Sequence, residues 1–589
     1  HTLYRSSAAS DVYKRQVLGR LDALGQSIDW DQIWGEARRR RVPLPTYAFQ
    51  RASYFIEPGK TVSDAAPQYL MRADEIADWG WTPLWRPRPA PVEVDVFEGL
   101  DDSDPQVWLM FMDEAGLADH AARRLRASGH TVIELRPGDM FSRLANDRYV
   151  LAPERGREGY ELLLQDLALQ AVVPTRVAHL WLVTEGEHHR PGSSFFHRVQ
   201  EQGFYALMFL AQAMESEGVP RPLHMTVITN GAARLRDEAL PHPAKATVAG
   251  PARVIPRELP GMSVSTLDVV LPDATEAPFW ARAREAATRD AAMERLATRV
   301  LEDLLAKPTD SIAALRGERR FEATMKPTPL PPAMPDPESG GVYLITGGFG
   351  GIGLTLAQDF AARGGALVLV ARHGLPERET WASYLARHAP QDRDARRIRA
   401  VMALEAQGAE VMVAAADVCN RTQMERLRDE VVARFGPITG VIHGAGVIAD
   451  APLLAKSPAS VEDVFTPKIH GTEILGQIFP DGSVDWIALF SSSSTVTAPA
   501  GQIDYVAANE YLNALAVTRA GGKTRVRAID WGPWAEVGMA VEAQDGTGGD
   551  EIPVGAPVAQ PMLDAETIDA DGNVTYLARW TTAEHWVLD

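Results

Sequence analysis

VYLITGGFGGIGLTLAQDFAARGGALVLVARHG, residues 342–374, is the stretch from which the fold of this 589-residue chain is read. VYLIT (342–346) is an unbroken apolar run, the pattern of a strand buried on both faces. LTLAQDFAAR carries a helical pattern. Between them stand Thr346, Gly347, Gly348, Phe349, Gly350, Gly351, Ile352 and Gly353. Glycines there permit a tight turn and let backbone N–H groups approach a pyrophosphate at the positive end of the helix. A glycine-rich loop alone is a weak signal, and the strand before it and the helix after it supply the context that strengthens it. The second strand, ALVLVAR, ends at Arg372. An NAD site often places a carboxylate there for the ribose 2′-OH, whereas a guanidinium offers paired donors to a 2′-phosphate. The expected cofactor is therefore NADPH.

Further strands extend the pattern. VMVAAA leads to Asp417 and Val418. Asp417 either accepts from an adenine amino group or caps the helix RTQMERLRDEV. VIHGAG (441–446) ends a fourth strand, and Gly444, Ala445 and Gly446 would pass close to the nicotinamide ribose. His443 reads as a packed histidine, because no second ligand stands at metal spacing, and no metal is expected.

The chemistry concentrates in LFSSSSTVTAPAGQIDYVAANEYLNALA. Ser491 to Ser494 follow the apolar strand WIALF, at the carboxyl end where doubly wound sheets hold ligands. Tyr505 and Asn509, four apart, share a helix face. Reduction of a carbonyl leaves an alkoxide, which calls for a proton donor and an oxygen clamp. A free phenol titrates near 10, and a nearby ammonium helps it give up a proton. Lys468, in VFTPKIHGTEI, is the candidate ammonium.

Upstream, VWLMFM (107–112), TVIEL (131–135), VAHLWLV (177–183) and LHMTVIT (223–229) read as strands alternating with helices, among them 120–130 and a long one near 193–217. That alternation indicates a second parallel α/β sheet. Its first turn, Phe111-Met112-Asp113-Glu114-Ala115-Gly116, is acidic where a phosphate loop would stand, so this half is expected to bind no nucleotide. The fold expected is α/β, with two Rossmann-like doubly wound subdomains. The proline-rich 321–341 marks their boundary. Residues 375–408, rich in Arg and Ala, read as a long, exposed helical insertion. After about residue 540 a Gly-rich linker (541–560) precedes a strand, an Asp-Gly-Asn turn and another strand.

The formal net charge of −19 argues against a nucleic-acid partner. Arg38 to Arg41 form the one basic run and read as a solvated linker face. A single cysteine, Cys419, permits no disulfide within the chain. No apolar run reaches 18 residues, so no membrane partner is expected, and the N-terminus lacks a secretory core; the location expected is cytoplasmic. Residues 1–16 do not match the residues after them and read as non-native.

Taken together, the glycine loop, LVARHG, HGAG, the Lys468 segment, FSSSS and YVAAN resemble the short-chain dehydrogenase/reductase superfamily, and specifically the ketoreductases of type I polyketide synthases. Most of that superfamily reads Tyr-x-x-x-Lys. Here Tyr505 is followed at that spacing by Asn509, and the lysine comes earlier, as in polyketide and related fatty-acid synthases. The resemblance implies Tyr505 as proton donor, Ser492 as the hydrogen bond to the substrate carbonyl, Lys468 as tuner of Tyr505 and ribose contact, and Asn509 as part of the relay. It places Trp531, Gly532 and Pro533 beside the nicotinamide. The implied reaction is NADPH-dependent reduction of a β-keto group on a chain held by acyl carrier protein. Asp450 matches the position associated with B-type, D-configured products, although Ala449 stands where a second Asp is usual, and no Trp lies between Ser491 and Tyr505. The same resemblance makes 17–74 a linker trailing an acyltransferase, 75–320 a structural subdomain, 321–540 the catalytic subdomain and 561–589 the start of a dehydratase-like domain. The alternatives are the same chemistry in a fatty-acid or glycolipid synthase, and a non-reducing scaffold.

Overall fold

A computed structural model describes residues 16–24, 27–29, 75–92, 104–187, 194–272, 282–330, 340–534 and 537–538, and the backbone of three strands beyond 555. The chain divides into units His1–Ala73 and Asp74–Asp589. The first unit's described residues include a short helix over 16–23. Most of the expected linker, 17–74, lies outside the described residues.

The second unit is α/β. Ten strands form one mixed sheet: β1 (Trp81–Pro87), β2 (Val107–Phe111), β3 (Thr131–Pro137), β4 (Ser142–Ala145), β5 (Arg148–Leu151), β6 (Arg176–Leu182), β7 (Leu223–Asn230), β8 (Met262–Val269), β9 (Ile312–Arg316) and β10 (Arg319–Pro327). Their order is β1-β10-β9-β8-β7-β6-β2-β3-β5-β4, and the run from β9 to β5 is parallel. Phe321 to Pro327, assigned from proline content to the boundary, instead form β10 and pair with β1. Pro327 closes the strand rather than preceding it, in the part beyond Glu322 where the pairing with β9 has stopped.

Six parallel strands form the second sheet: β11 (Val342–Thr346), β12 (Ala366–Ala371), β13 (Val411–Ala415), β14 (Gly440–His443), β15 (Trp486–Ser492) and β16 (Arg525–Trp531). Their order, β13-β12-β11-β14-β15-β16, reverses direction at β11, and ligands of such sheets bind at that crevice. β17 (Ala556–Gln560), β18 (Leu563–Ile568) and β19 (Val574–Leu577) make a small antiparallel sheet.

The helices that matter here are α1 (Leu117–Ala127), α2 (Ala206–Ser216), α3 (Ala249–Glu258), α4 (Gly351–Ala362), α5 (Arg393–Ala406), α6 (Arg421–Phe435) and α7 (Ile503–Thr518). The long helix expected near 193–217 is three consecutive pieces, Phe195–Gln200, a π turn Glu201–Tyr205, and α2. One continuous apolar core runs from Leu109 and Phe204 through Val254 to Phe465, Val506 and Leu512, so the two sheets share a buried helical layer. Separate cores cover their outer faces.

The reading of 375–408 as an exposed insertion is corrected. Ile398, Val401 and Leu404 of α5 are buried in the second sheet's outer core. The segment is the crossover between β12 and β13, and a parallel connection has to cover the sheet it crosses. No described helix is long and apolar enough to cross a membrane.

Candidate active site

The two sheets offer the same place to an anion and treat it differently. In the first, the Asp113 carboxylate lies at the start of α1 and accepts from Leu117 N at 3.0 Å and Ala118 N at 2.7 Å. The protein's own carboxylate thus occupies the donors a phosphate would need. Burial raises the Asp113 pKa against these backbone hydrogen bonds. In the second, α4 starts from Gly350, which makes no side-chain capping bond. A Cβ at Gly353 would stand 2.8 Å from Gly347 O, and one at Gly347, where φ is +68°, would stand 2.7 Å from Gly444 O. The loop is closed tightly on itself and on the turn after β14, leaving a bare helix start. That arrangement fits a dinucleotide pyrophosphate.

The other expected cofactor contacts lie in this loop or at the carboxyl ends of the second sheet's strands. Thr346 ends β11, its hydroxyl 2.7 Å from His443 Nδ1 and 3.3 Å from Ala445 N. Gly348, Gly351 and Ile352 complete the turn, with Gly351 against Val537 and Gly538. Arg397 of α5 lies over the Phe349 ring at 5.2 Å, so the crossover helps wall the loop. Arg372 follows β12 and is exposed. Asp417 does not cap α6. Asn420 does, accepting from Gln423 N, while Asp417 accepts from Cys419 N at 2.9 Å. The capping alternative is thereby removed and the adenine alternative remains open. Val418 is buried against Gly471. Gly446 abuts the Lys468 side chain, where a Cβ would stand 3.0 Å from Cε. Pro533 is exposed just beyond β16.

Lys468 sits in a π turn, Thr466–His470, between two helical pieces. Such turns redirect side chains and recur at functional sites. Its Nζ donates to Phe490 O at 2.9 Å and Asn509 Oδ1 at 2.8 Å, and lies 5.1 Å from the Tyr505 ring centroid. Burial lowers its pKa to about 7. Asn509 Nδ2 donates to Tyr505 O at 2.8 Å. Burial raises the Tyr505 phenol, while hydrogen bonds with Asn509 and Ser492 pull the other way and the Asp450 charge raises it further. Ser492 ends β15, and its Oγ accepts from Ser494 N at 3.1 Å. His443 is buried and neutral, its pKa lowered to about 4 by burial and by Lys468. Among the described residues no group of His, Cys, Asp and Glu could hold a metal.

The structure therefore brings Tyr505, Ser492, Lys468 and Asn509 together beside the glycine loop. Asp450 stands at the edge of this group, accepting from Gln502 Nε2 at 2.8 Å. Sequence reasoning missed a buried ion pair directly behind Tyr505. Lys456 Nζ donates to Asp504 Oδ2 at 2.6 Å, and Asp504 Oδ1 accepts from Tyr505 N at 2.8 Å. Both side chains carry charges that usually face water, and nothing local in LLAKSP or QIDY announces their pairing.

Residues 341–536 match the family model described as "KR domain", and residues 108–277 match one described as "Beta-ketoacyl synthase-like, N-terminal". The first match spans the second sheet, β11 to β16, and the second spans β2 to β8 of the first sheet. The chain is 37% identical over 229 residues to 6-methylsalicylic acid synthase of Aspergillus terreus, an alignment spanning 37% of this chain and 12% of that protein. It is 37% identical over 252 residues to one of the phenolphthiocerol/phthiocerol polyketide synthase subunits of Mycobacterium tuberculosis, spanning 41% and 13%. Each alignment covers only a small part of its much longer relative. Among solved structures, A-type ketoreductases from a modular polyketide synthase superpose with a TM-score of 0.56 at 26% identity, over 78% of this chain and 84% of that one. A ketoreductase from the macrolactin assembly line shares the fold, with a TM-score of 0.60 at 20% identity, over 79% and 85%.

Proposed function

We propose that this protein reduces the β-keto group of a polyketide intermediate, held on an acyl carrier protein, to a β-hydroxyl with NADPH. The observation that carries the reading is the convergence of Tyr505, Lys468, Asn509 and Ser492 beside a glycine loop whose helix start is bare. The KR domain match over 341–536 supports the same chemistry.

Bound NADPH would supply the hydride. Thr346 to Gly353, Arg372, Asp417, Val418, Gly444, Ala445, Gly446 and Pro533 would hold it, with Arg372 on the 2′-phosphate. Ser492 Oγ donates to the substrate carbonyl oxygen and orients it. Tyr505 Oη gives its proton to that oxygen as negative charge develops there. The phenolate so formed lies near the Lys468 ammonium, which lowers the cost of the charge. Asn509 holds the ammonium in place through Oδ1. By the family resemblance, Asp450 goes with a B-type, D-configured product; here its charge raises the Tyr505 phenol. In this reading 17–74 is a linker next to an acyltransferase, 75–320 extended by β10 to Pro327 a structural subdomain, and the remainder of 321–540 the catalytic one. The linker expected at 541–560 ends before Ala556, because β17 pairs with β18, and the segment from β17 onward opens a dehydratase-like domain.

The decisive experiment is Tyr505→Phe with a β-ketoacyl thioester surrogate. NADPH oxidation should fall by about 100-fold or more, the scale of a lost general acid, while NADPH binding by fluorescence survives. Unchanged turnover would overturn the assignment.

A further inference from the structure

The first sheet's half reaches into the mouth of the reductase site. α3 lies against the turn of α7 that carries Tyr505. At Gly250 a Cβ would stand 2.1 Å from Ile503 O and 2.7 Å from Ala507 Cβ, so only glycine allows this approach. Arg253 donates to Thr495 O and pairs with Glu510. Thr495 in turn donates to Ser492 O at 2.8 Å.

Glu258, the last residue of α3, has one carboxylate and two loops to hold. Its Oε2 accepts from Leu453 N at 2.5 Å, and its Oε1 accepts from Gly501 N at 2.9 Å. The two loops also bond to each other through Ala451 N and Gly501 O at 3.1 Å. Leu453 lies three residues beyond Asp450, and Gly501 one before Gln502, the Asp450 partner. Gln212 of α2 donates to Leu453 O at 2.8 Å and Lys456 O at 3.0 Å, a second tie from the same half. The backbone nearby is under constraint, since Ala498 adopts φ +44° without being glycine.

A surface carboxylate that accepted two loop N–H groups would contribute little beyond stability. This one joins the two segments that flank Tyr505 and carry Asp450 and Gln502. We infer that Glu258 is a positioning residue for the reduction: it fixes the spacing of the two loops and thereby which face of the ketone meets the bound cofactor. The inference rests on the reductase reading above. Its physical basis is that a few tenths of an ångström at the loops change the fit of one substrate orientation over the other, whereas the cofactor loop, held by β11, α4 and β14, is untouched.

The test uses the full chain with NADPH and a racemic 2-methyl-3-ketoacyl thioester, with products resolved on a chiral column. Glu258→Gln is nearly isosteric but leaves one acceptor oxygen for two N–H donors, and Glu258→Ala leaves none. The minor stereoisomers should gain share by about fivefold or more in Glu258→Ala, on the scale of one lost charge-assisted hydrogen bond, and by less in Glu258→Gln. KM should rise more than kcat falls, and NADPH affinity should stay at its wild-type value. Active variants that keep the wild-type stereoisomer ratio, with activity falling only in step with melting temperature, would overturn the inference. If Glu258→Ala does not fold, Glu258→Gln decides alone. A wild-type protein that oxidises no NADPH with this thioester overturns the reductase reading instead, a result distinct from an unchanged ratio.

Discussion

Lys468 holds its ammonium between Phe490 O and Asn509 Oδ1, away from bulk water. Burial brings its pKa to about 7, while the same burial raises Tyr505 above the ordinary phenol value. The sign follows directly. Tyr505 keeps its proton across the neutral range, so the donor is always loaded. Lys468 is charged below about pH 7 and loses its proton above it, and with it the charge that favours the phenolate. The kcat/KM for reduction should therefore fall as pH rises through about 7, a decline of about tenfold per unit at the steep end. A profile measured at saturating NADPH that stays flat there would show that the ammonium plays no part. The pairing of Tyr505 and Asn509 was legible in the sequence, because a separation of four residues on one helix implies a common face; Ser492 was singled out only through the family resemblance. Asp504 and Lys456 were not, since a buried ion pair between residues 48 apart leaves no local pattern.

At the scale of elements, the two helix starts, α1 and α4, carry opposite instructions. Asp113 supplies α1 with its own anion, and Gly350 leaves α4 open. Asp113→Ala should destabilise the protein by about 1 kcal/mol or more, the scale of losing a buried carboxylate's hydrogen bonds to helix N–H groups, and leave NADPH affinity unchanged. Urea unfolding followed by circular dichroism, with a parallel fluorescence titration, checks both halves of that statement. The acidic character of this turn was readable in advance. The capping geometry was not, because Asp113 precedes the helix by a full turn of loop and sequence spacing does not show which N–H groups it meets. The opposite failure occurred at Asp417, where a cap was a live reading and the structure gives that role to Asn420.

At the scale of the molecule, the shared core matters most. Phe204 and Phe465 pack edge to face with centroids 4.9 Å apart, one from each sheet's half, and Tyr205 donates to Glu462 at 2.8 Å. α3 seats the Tyr505 helix from behind. Residues 340–540 expressed alone should therefore expose a large apolar face, bind 8-anilinonaphthalene-1-sulfonate strongly and give far less soluble protein than residues 75–540. Equal yield and equal dye binding would show that the second sheet's half is self-sufficient. The segment 375–408 makes the same point in reverse. Its composition suggests a solvated appendage, yet every third position of α5 is apolar and buried.

The sequence by itself determined the local chemistry: where strands and helices alternate, which turn is glycine-rich, and which phenol and amide share one helix face. These are short-range properties, set by backbone conformation and side-chain period. Only the tertiary structure decided that α5 covers a sheet, that Lys456 neutralises Asp504, and that Glu258 ties together two loops some two hundred residues further along. Those contacts form between distant segments once a common core brings them into reach, and hydrogen-bonding partners chosen that way leave no periodic trace in the chain.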